Sequence, residues 1–102
     1  MSVLVGISVV PLGVGESVSE FVAKAVRIIE ESGLSYTLTP METVIEGETW
    51  EEVMDVVSKV FHALSSECNR LVITIKVDYR KGRSGGLVKK IESVKAKLKK
   101  EK

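Results

Sequence analysis

The 102-residue chain has one cysteine, one histidine, two prolines and only 5% aromatic residues. A single cysteine excludes an internal disulfide and a zinc site built from cysteines. No apolar run approaches the roughly 18 residues of a membrane helix, and no basic segment precedes the first apolar stretch, as a signal peptide would require. We therefore expect a cytoplasmic protein with no membrane partner and a single domain over residues 1–102.

Groups that could carry catalysis are equally scarce. His62 and Cys68 lie six residues apart, and no spacing ties them to a third group. Residues 82–86 lack the spacing of a phosphate-binding loop, although backbone N–H groups at the following helix start could hold an anion. We interpret this stretch as a turn capped by Ser84. The sequence predicts no catalytic residue, no metal ligand and no cofactor.

The net charge of +1 conceals an uneven distribution along the chain. Residues 1–75 carry 4 basic and 11 acidic groups, a charge of −7, whereas residues 76–102 carry 11 basic and 3 acidic groups, a charge of +8. A basic terminal segment can bind nucleic acid or an acidic partner. We favour a solvated helix, because the lysines are spread among apolar residues at helical spacing.

The spacing of apolar residues predicts the element order β-α-β-β-α-β-α. Strands are expected at 3–10, 34–39, 41–46 and 71–79, where apolar and polar residues alternate. Helices are expected after two capping boxes, Ser17 to Glu20 and Thr49 to Glu52, and after Ser84. The first helix should end at Gly33. This order is α+β and ferredoxin-like: a βαββαβ unit with a four-stranded antiparallel sheet, plus an extra C-terminal helix.

One face of the predicted sheet has no helix of the βαββαβ unit to cover it. Its apolar and small polar character predicts contact with a second subunit, a ligand or the C-terminal helix, and we expect a homo-oligomer. Glu46 lies on this face and needs water or a cationic partner. We favour a salt bridge to Lys76 or Arg80 over a cationic ligand. The residues expected on this face are Leu4, Gly6, Ser8, Val10, Val44, Val72, Thr74 and Lys76.

RNA-recognition domains share this element order, and they stack bases on aromatic residues of the two central strands. The central strands predicted here, 3–10 and 41–46, contain no aromatic residue. We therefore expect no nucleic-acid partner.

Four segments together resemble the small thiamine-binding, YkoF-like family of ferredoxin-like proteins. They are Ile7-Ser-Val-Val-Pro-Leu-Gly13, Ser32-Gly-Leu-Ser-Tyr36, Pro40-Met-Glu-Thr-Val-Ile-Glu-Gly47 and Ile75-Lys-Val-Asp-Tyr-Arg80. The P-M-x-T-x-I-E-G segment is the most specific, and the resemblance covers residues 3–98. Glu42 is a departure, since relatives often have glycine there, and it places a bulky anion beside the expected site.

The resemblance implies a homodimer or homotetramer built by sheet association, which binds thiamine or its hydroxymethylpyrimidine portion without catalysis. We hypothesise that the ligand-binding residues are Ser8, Thr43, Glu46, Asp78 and Arg80. Glu46 would accept a hydrogen bond from the pyrimidine amino group and pair with the thiazolium cation. The alternatives are a regulatory ligand-binding or oligomerisation module for another small metabolite, and an enzyme that uses Glu46 and Asp78 as acid and base.

Overall fold

The elements follow one another in the predicted order. The computed structural model describes residues 2–15, 18–82 and 84–100. The elements are β1 (Val3–Leu12), α1 (Val18–Glu31), β2 (Ser35–Leu38), β3 (Thr43–Gly47), α2 (Trp50–Ser65), β4 (Arg70–Tyr79) and α3 (Gly86–Lys100).

The four strands form one antiparallel sheet in the order β2-β3-β1-β4. This is the predicted ferredoxin-like arrangement, with β1 and β3 at the centre. β1 pairs with β4 along its whole length, from Val3 opposite Tyr79 to Leu12 opposite Arg70. Its pairing with β3 stops earlier, at Ile7 opposite Thr43. The last five residues of β1 therefore have no strand beside them on the β3 side.

The hydrophobic core lies between one face of the sheet and helices α1 and α2. Val5, Ile45, Val53, Val60 and Leu64 are completely buried. Alternation along β1 and β3 directs every second residue into this core, and helical spacing directs the α2 residues onto it. Complete burial of such an aliphatic side chain stabilises the fold by roughly 1.5–3 kcal/mol.

Local signals in the sequence fix the helix ends. Thr49 is the N-cap of α2, and its Oγ1 accepts a hydrogen bond from the backbone N–H of Glu52 at 3.1 Å. Gly33 follows α1 with φ of +79°, a conformation that glycine adopts without strain. Ser17 of the other capping box, and Arg83 in the basic turn, lie outside the described residues.

Helix α3 covers part of the sheet face that lacks α1 and α2. Gly86 is buried and Leu87 half-buried at its start, whereas Ile91, Val94 and Leu98 are more than half exposed. The radius of gyration of 15.3 Å exceeds the roughly 13 Å of a compact chain of this length. The far half of α3 therefore projects from the body. Among the described helices, none has both the length and the apolar character needed to cross a membrane.

Candidate ligand-binding site

A cavity of about 200 Å³ lies between α1 and the end of the sheet at which β3 begins. We call it the turn cavity, because residues 39–42 of the β2–β3 turn form one of its walls. Val22, Ala25 and Ile29 of α1 make the facing wall apolar. Two hydroxyl-bearing residues from neighbouring strands also line it, namely the half-buried Ser8 and the buried Thr43. This combination of apolar walls and a few polar groups is typical of small-molecule sites.

The turn cavity exists because β1 continues beyond the point at which its pairing with β3 ends. Beyond Ile7 no described strand pairs with β1 on the β3 side, so that stretch presents the backbone of an unpaired strand edge. The β2–β3 turn closes the space without filling it. Its shape is held by Thr39, whose Oγ1 donates to the carbonyl oxygen of Glu42 at 2.7 Å and accepts from the N–H of Glu42 at 3.1 Å.

Glu42 lies where the turn cavity meets the opposite face of the sheet. Its carboxylate lies over Gly6, the residue of β1 that has no side chain to displace it. Oε1 of Glu42 forms an ion pair with Nζ of Lys76 at 3.3 Å. The Glu42 side chain is 27% exposed and the Lys76 side chain 76% exposed. The lysine can therefore swing into solvent, whereas the carboxylate stays at the sheet.

A second, wider space lies between the sheet and α3, and we call it the α3 groove. It has a volume of about 410 Å³ and shares Thr39 and Glu42 with the turn cavity. Leu4 and Val44 form an apolar floor, and Leu87 and Ile91 of α3 face them. An ion pair between Asp78 of β4 and Lys90 of α3 lies along the groove.

A third space of about 330 Å³, the Glu46 cavity, lies near the start of α3. Oε2 of Glu46 is buried there and has no hydrogen-bond partner among the described residues. The predicted salt bridge to Lys76 is wrong, because Lys76 lies opposite Gly6 and pairs with Glu42. Glu46 lies opposite Leu4, one row further along the sheet. Among the described contacts there is no ion pair between Glu46 and Arg80 either.

The five predicted ligand residues are divided among these spaces. Ser8 and Thr43 meet in the turn cavity, Asp78 lines the α3 groove, and Glu46 lines its own cavity. Arg80 is exposed just after β4 and lines none of the three.

Sequence reasoning missed Thr39, which holds the turn, and the position of Glu42. A glycine inside an otherwise regular strand often marks close approach by another group, so Gly6 was an available signal for Glu42.

The residues considered for catalysis lie elsewhere. His62 is exposed on α2, and its ring meets that of Phe61 edge-on with centroids 5.3 Å apart. Cys68 donates from its thiol to the carbonyl oxygen of Leu64 at 3.3 Å, as a helix-end thiol commonly does. No group of three His, Cys, Asp or Glu side chains in the described part of the chain has an arrangement suited to a metal ion.

The model of the thiamine-binding protein family matches residues 5–95. The chain belongs to this family. A UPF0045 protein of Mycobacterium bovis is 47% identical over 94 residues, which cover 92% of each chain. A UPF0045 protein of Methanothermobacter thermautotrophicus is 35% identical over 94 residues, which cover 90% of this chain and 95% of that protein. The resemblance seen in the four segments is thus confirmed at the level of the family.

Solved structures agree with this assignment. A hypothetical protein of Methanocaldococcus jannaschii has a TM-score of 0.84 at 28% identity, covering 91% of this chain and 95% of that one. A Thermotoga maritima protein, proposed to act in thiamine biosynthesis or salvage, has a TM-score of 0.78 at 31% identity. That match covers 89% of this chain and 99% of the other. This chain therefore shares its fold with both of these proteins.

Proposed function

We propose that this protein binds thiamine, or a metabolite containing its aminopyrimidine ring, without transforming it, and serves as a carrier, buffer or sensor. The family assignment supports the ligand class. The meeting of Ser8 and Thr43 in the turn cavity is the observation that carries the proposal for this chain. These two residues come from adjacent strands and line a space whose wall from α1 is apolar.

The chemistry of the turn cavity suits a flat heteroaromatic ring. An aminopyrimidine presents hydrogen-bond donors and acceptors side by side along one edge. The unpaired edge of β1 beyond Ile7 offers backbone N–H and C=O groups with the same alternation. The hydroxyls of Ser8 and Thr43 can each donate or accept, and so can adapt to either tautomer. The apolar wall from α1 would cover the ring face.

The charge of thiamine has a partner at the edge of the turn cavity. Thiamine carries a permanent positive charge on its thiazolium ring. Glu42 lines both the turn cavity and the α3 groove, and its carboxylate is mostly buried against the sheet. In our proposal the thiazolium replaces Lys76 as the counter-charge of Glu42, and the largely exposed lysine moves into water.

The other three predicted ligand residues do not line the turn cavity. Glu46 of β3 lies four residues after Glu42 of the β2–β3 turn, a separation of about 13 Å, and it lines a separate cavity. Asp78 and Arg80 remain predictions, and neither lines the turn cavity. A ring held by Ser8 and Thr43 would not need Glu46.

Isothermal titration of the full chain with thiamine tests the proposal. We expect one site per chain with a dissociation constant of about 1 μM, equivalent to roughly −8 kcal/mol. Light scattering and a thermal melt on the same sample establish that the protein is intact. Absence of heat and of any thermal shift from an intact sample would contradict thiamine binding.

Three matched variants locate the site. Thr43→Val replaces the hydroxyl by a methyl group and should weaken binding about tenfold, the effect of one lost hydrogen bond. Thr74→Val makes the same change on β4, at a residue that lines none of the three cavities, and should have no effect. Glu46→Gln should leave thiamine affinity unchanged. A large loss in Glu46→Gln with none in Thr43→Val would move the site to the Glu46 cavity.

We also propose that the protein is a homo-oligomer that acts in the cytoplasm. Two exposed apolar surfaces support self-association. One is the outer strand β4, where Ile75, Val77 and Tyr79 are at least 40% exposed, and the other is the projecting half of α3. Light scattering that reports only an 11.2 kDa monomer at tens of micromolar would contradict this proposal.

A further inference from the structure

We infer that the Glu46 cavity binds a small organic cation that carries N–H donors, such as an amidinium, guanidinium or primary ammonium group. This site is separate from the turn cavity. Glu46 of β3 and Glu42 of the preceding turn are about 13 Å apart, and the two cavities share no lining residue. The inference therefore does not rest on thiamine binding.

Two buried oxygen atoms in this cavity have no hydrogen-bond partner among the described residues. Ser2 is only 4% exposed, and its Oγ is unpartnered. Oε2 of Glu46 is buried and unpartnered as well. The pairing of Leu4 with Glu46 puts Ser2 and Glu46 diagonally beside each other on the same face of the sheet. Buried polar atoms almost always have a partner, so two in one cavity point to an occupant that supplies donors.

The charge around the cavity selects a cation. Glu46, Glu48 and Glu52 all line it, whereas its described lining contains no lysine, arginine or histidine. Lys89 lies beside Gly85 at the rim, but it forms no ion pair with Glu46 among the described contacts. A carboxylate oxygen that is buried away from water needs a positively charged group or a hydrogen-bond donor as its partner. An anion would meet three carboxylates and is excluded as the ligand.

The donor set argues for an organic cation over a metal ion. No described group of three His, Cys, Asp or Glu side chains is arranged to hold a metal ion, and this holds for the carboxylates of the cavity as well. An N–H-bearing cation needs only acceptors, and Oε2 of Glu46 and Oγ of Ser2 supply two. The volume of about 330 Å³ exceeds the roughly 30 Å³ of one water molecule many times over.

The walls leave room for such a group. Three glycines line the cavity, Gly33, Gly47 and Gly85, and they contribute no side chain to its interior. Around Gly33 even a β-carbon would have no heavy atom within 4 Å. Ser35 and Ser84 add hydroxyls at the rim, where a ligand's other polar groups would lie.

Amide resonances of the ¹⁵N-labelled full chain provide the test. The probes are acetamidinium chloride and methylammonium chloride, and the matched control is tetramethylammonium chloride, a cation without N–H donors. All are titrated at constant ionic strength. We expect saturable shifts at residues near the cavity, including Gly47 and Gly85, with acetamidinium or methylammonium only. Equal shifts with tetramethylammonium, or non-saturating shifts spread over the acidic surface, would overturn the inference.

Variants decide whether Glu46 and Ser2 hold the cation. Glu46→Gln should weaken acetamidinium binding at least tenfold, and Ser2→Ala severalfold. Asp55→Asn removes an exposed carboxylate from α2 and should leave binding unchanged. A dispersed spectrum of each variant establishes that it is folded. Unchanged acetamidinium binding in folded Glu46→Gln would show that Glu46 does not hold the cation and would overturn the inference.

Discussion

The carboxylate of Glu42 lies directly over Gly6, so that a β-carbon at residue 6 would lie 2.5 Å from Oε2 of Glu42. No real β-carbon tolerates such a contact. Residue 6 therefore has to be glycine if the carboxylate is to rest on the sheet and reach Lys76. Gly6 belongs to β1, the strand that shapes the turn cavity. Glu42, which lies over it, lines both the turn cavity and the α3 groove.

The effect of Gly6→Ala should depend on Glu42. In the wild-type background the new methyl group displaces a flexible carboxylate and breaks its ion pair, so we expect a loss of stability of up to about 1 kcal/mol. In the Glu42→Ala background the same change should stabilise by about 0.5–1 kcal/mol, because alanine suits a strand better than glycine. Urea denaturation of the four proteins measures the coupling. Equal effects in both backgrounds would show that Glu42 does not lie over Gly6.

Glu42 should also set the preference between thiamine and its monophosphate, if the proposed function holds. Glu42→Gln removes the counter-charge for the thiazolium and should weaken thiamine binding about fivefold, or ~1 kcal/mol. The same variant should weaken binding of the monophosphate less than that of thiamine, because the lost attraction to the thiazolium is offset in part by the lost repulsion between the carboxylate and the phosphate. Paired titrations with both ligands give the ratio of affinities. A thiamine affinity equal to that of wild type would place the thiazolium away from Glu42, and an unchanged ratio would place the phosphate away from it.

The fold could be predicted from the sequence because its signals are local and periodic. Alternation of apolar and polar residues predicted the strands β1 and β4, and the hydroxyl-bearing Thr49 predicted the start of α2. The central position of β1 then followed from the ferredoxin-like topology. The path of α3 could not be predicted, since its apolar residues Leu87, Ile91, Val94 and Leu98 fit a helix that lies on the sheet along its whole length. Only Leu87 is less than half exposed.

The site was harder to predict, because it depends on register. Alternation places Glu46 and Lys76 on one face, but the pairing of β1 with its neighbours decides that Lys76 reaches Glu42 instead. Ser8 and Thr43 lie on opposite faces by alternation, yet they line one cavity. They meet because β3 begins at Thr43 and leaves the edge of β1 open beyond it. Sequence patterns predict on which face of the sheet a residue lies, whereas the register and the ends of the strands decide which residues are its neighbours.

Gly47 is a second glycine whose lack of a side chain is required by packing. A β-carbon there would lie 2.5 Å from Cγ2 of Val53, which is completely buried in α2. Since neither the strand nor the helix can move freely, Gly47→Ala should destabilise the fold by about 1–3 kcal/mol. Chemical denaturation checks this value. Val53→Ala makes room for the methyl group, so the double variant should lose less stability than the two single losses combined.

Tyr36 gives the fold an alkaline pH dependence. Its hydroxyl donates to Oε2 of Glu30 at 2.8 Å, and this hydrogen bond, aided by repulsion between the two anions, raises the pKa of Tyr36 above its ordinary value of 10.0. A pKa that is higher in the folded state stabilises the fold below pH 10. That stabilisation is lost as the pH rises through the folded pKa.

Absorbance at 295 nm against pH tests this, because the chain has only two tyrosines. Tyr36→Phe should remove the raised ionisation of Tyr36 from the titration curve. Glu30→Gln should lower the pKa of Tyr36 toward 10, since the amide keeps an acceptor oxygen but carries no charge. The decline in stability above pH 10 should be shallower in both variants than in wild type. A titration curve for Glu30→Gln that overlays the wild-type curve would show that Glu30 does not hold the proton on Tyr36.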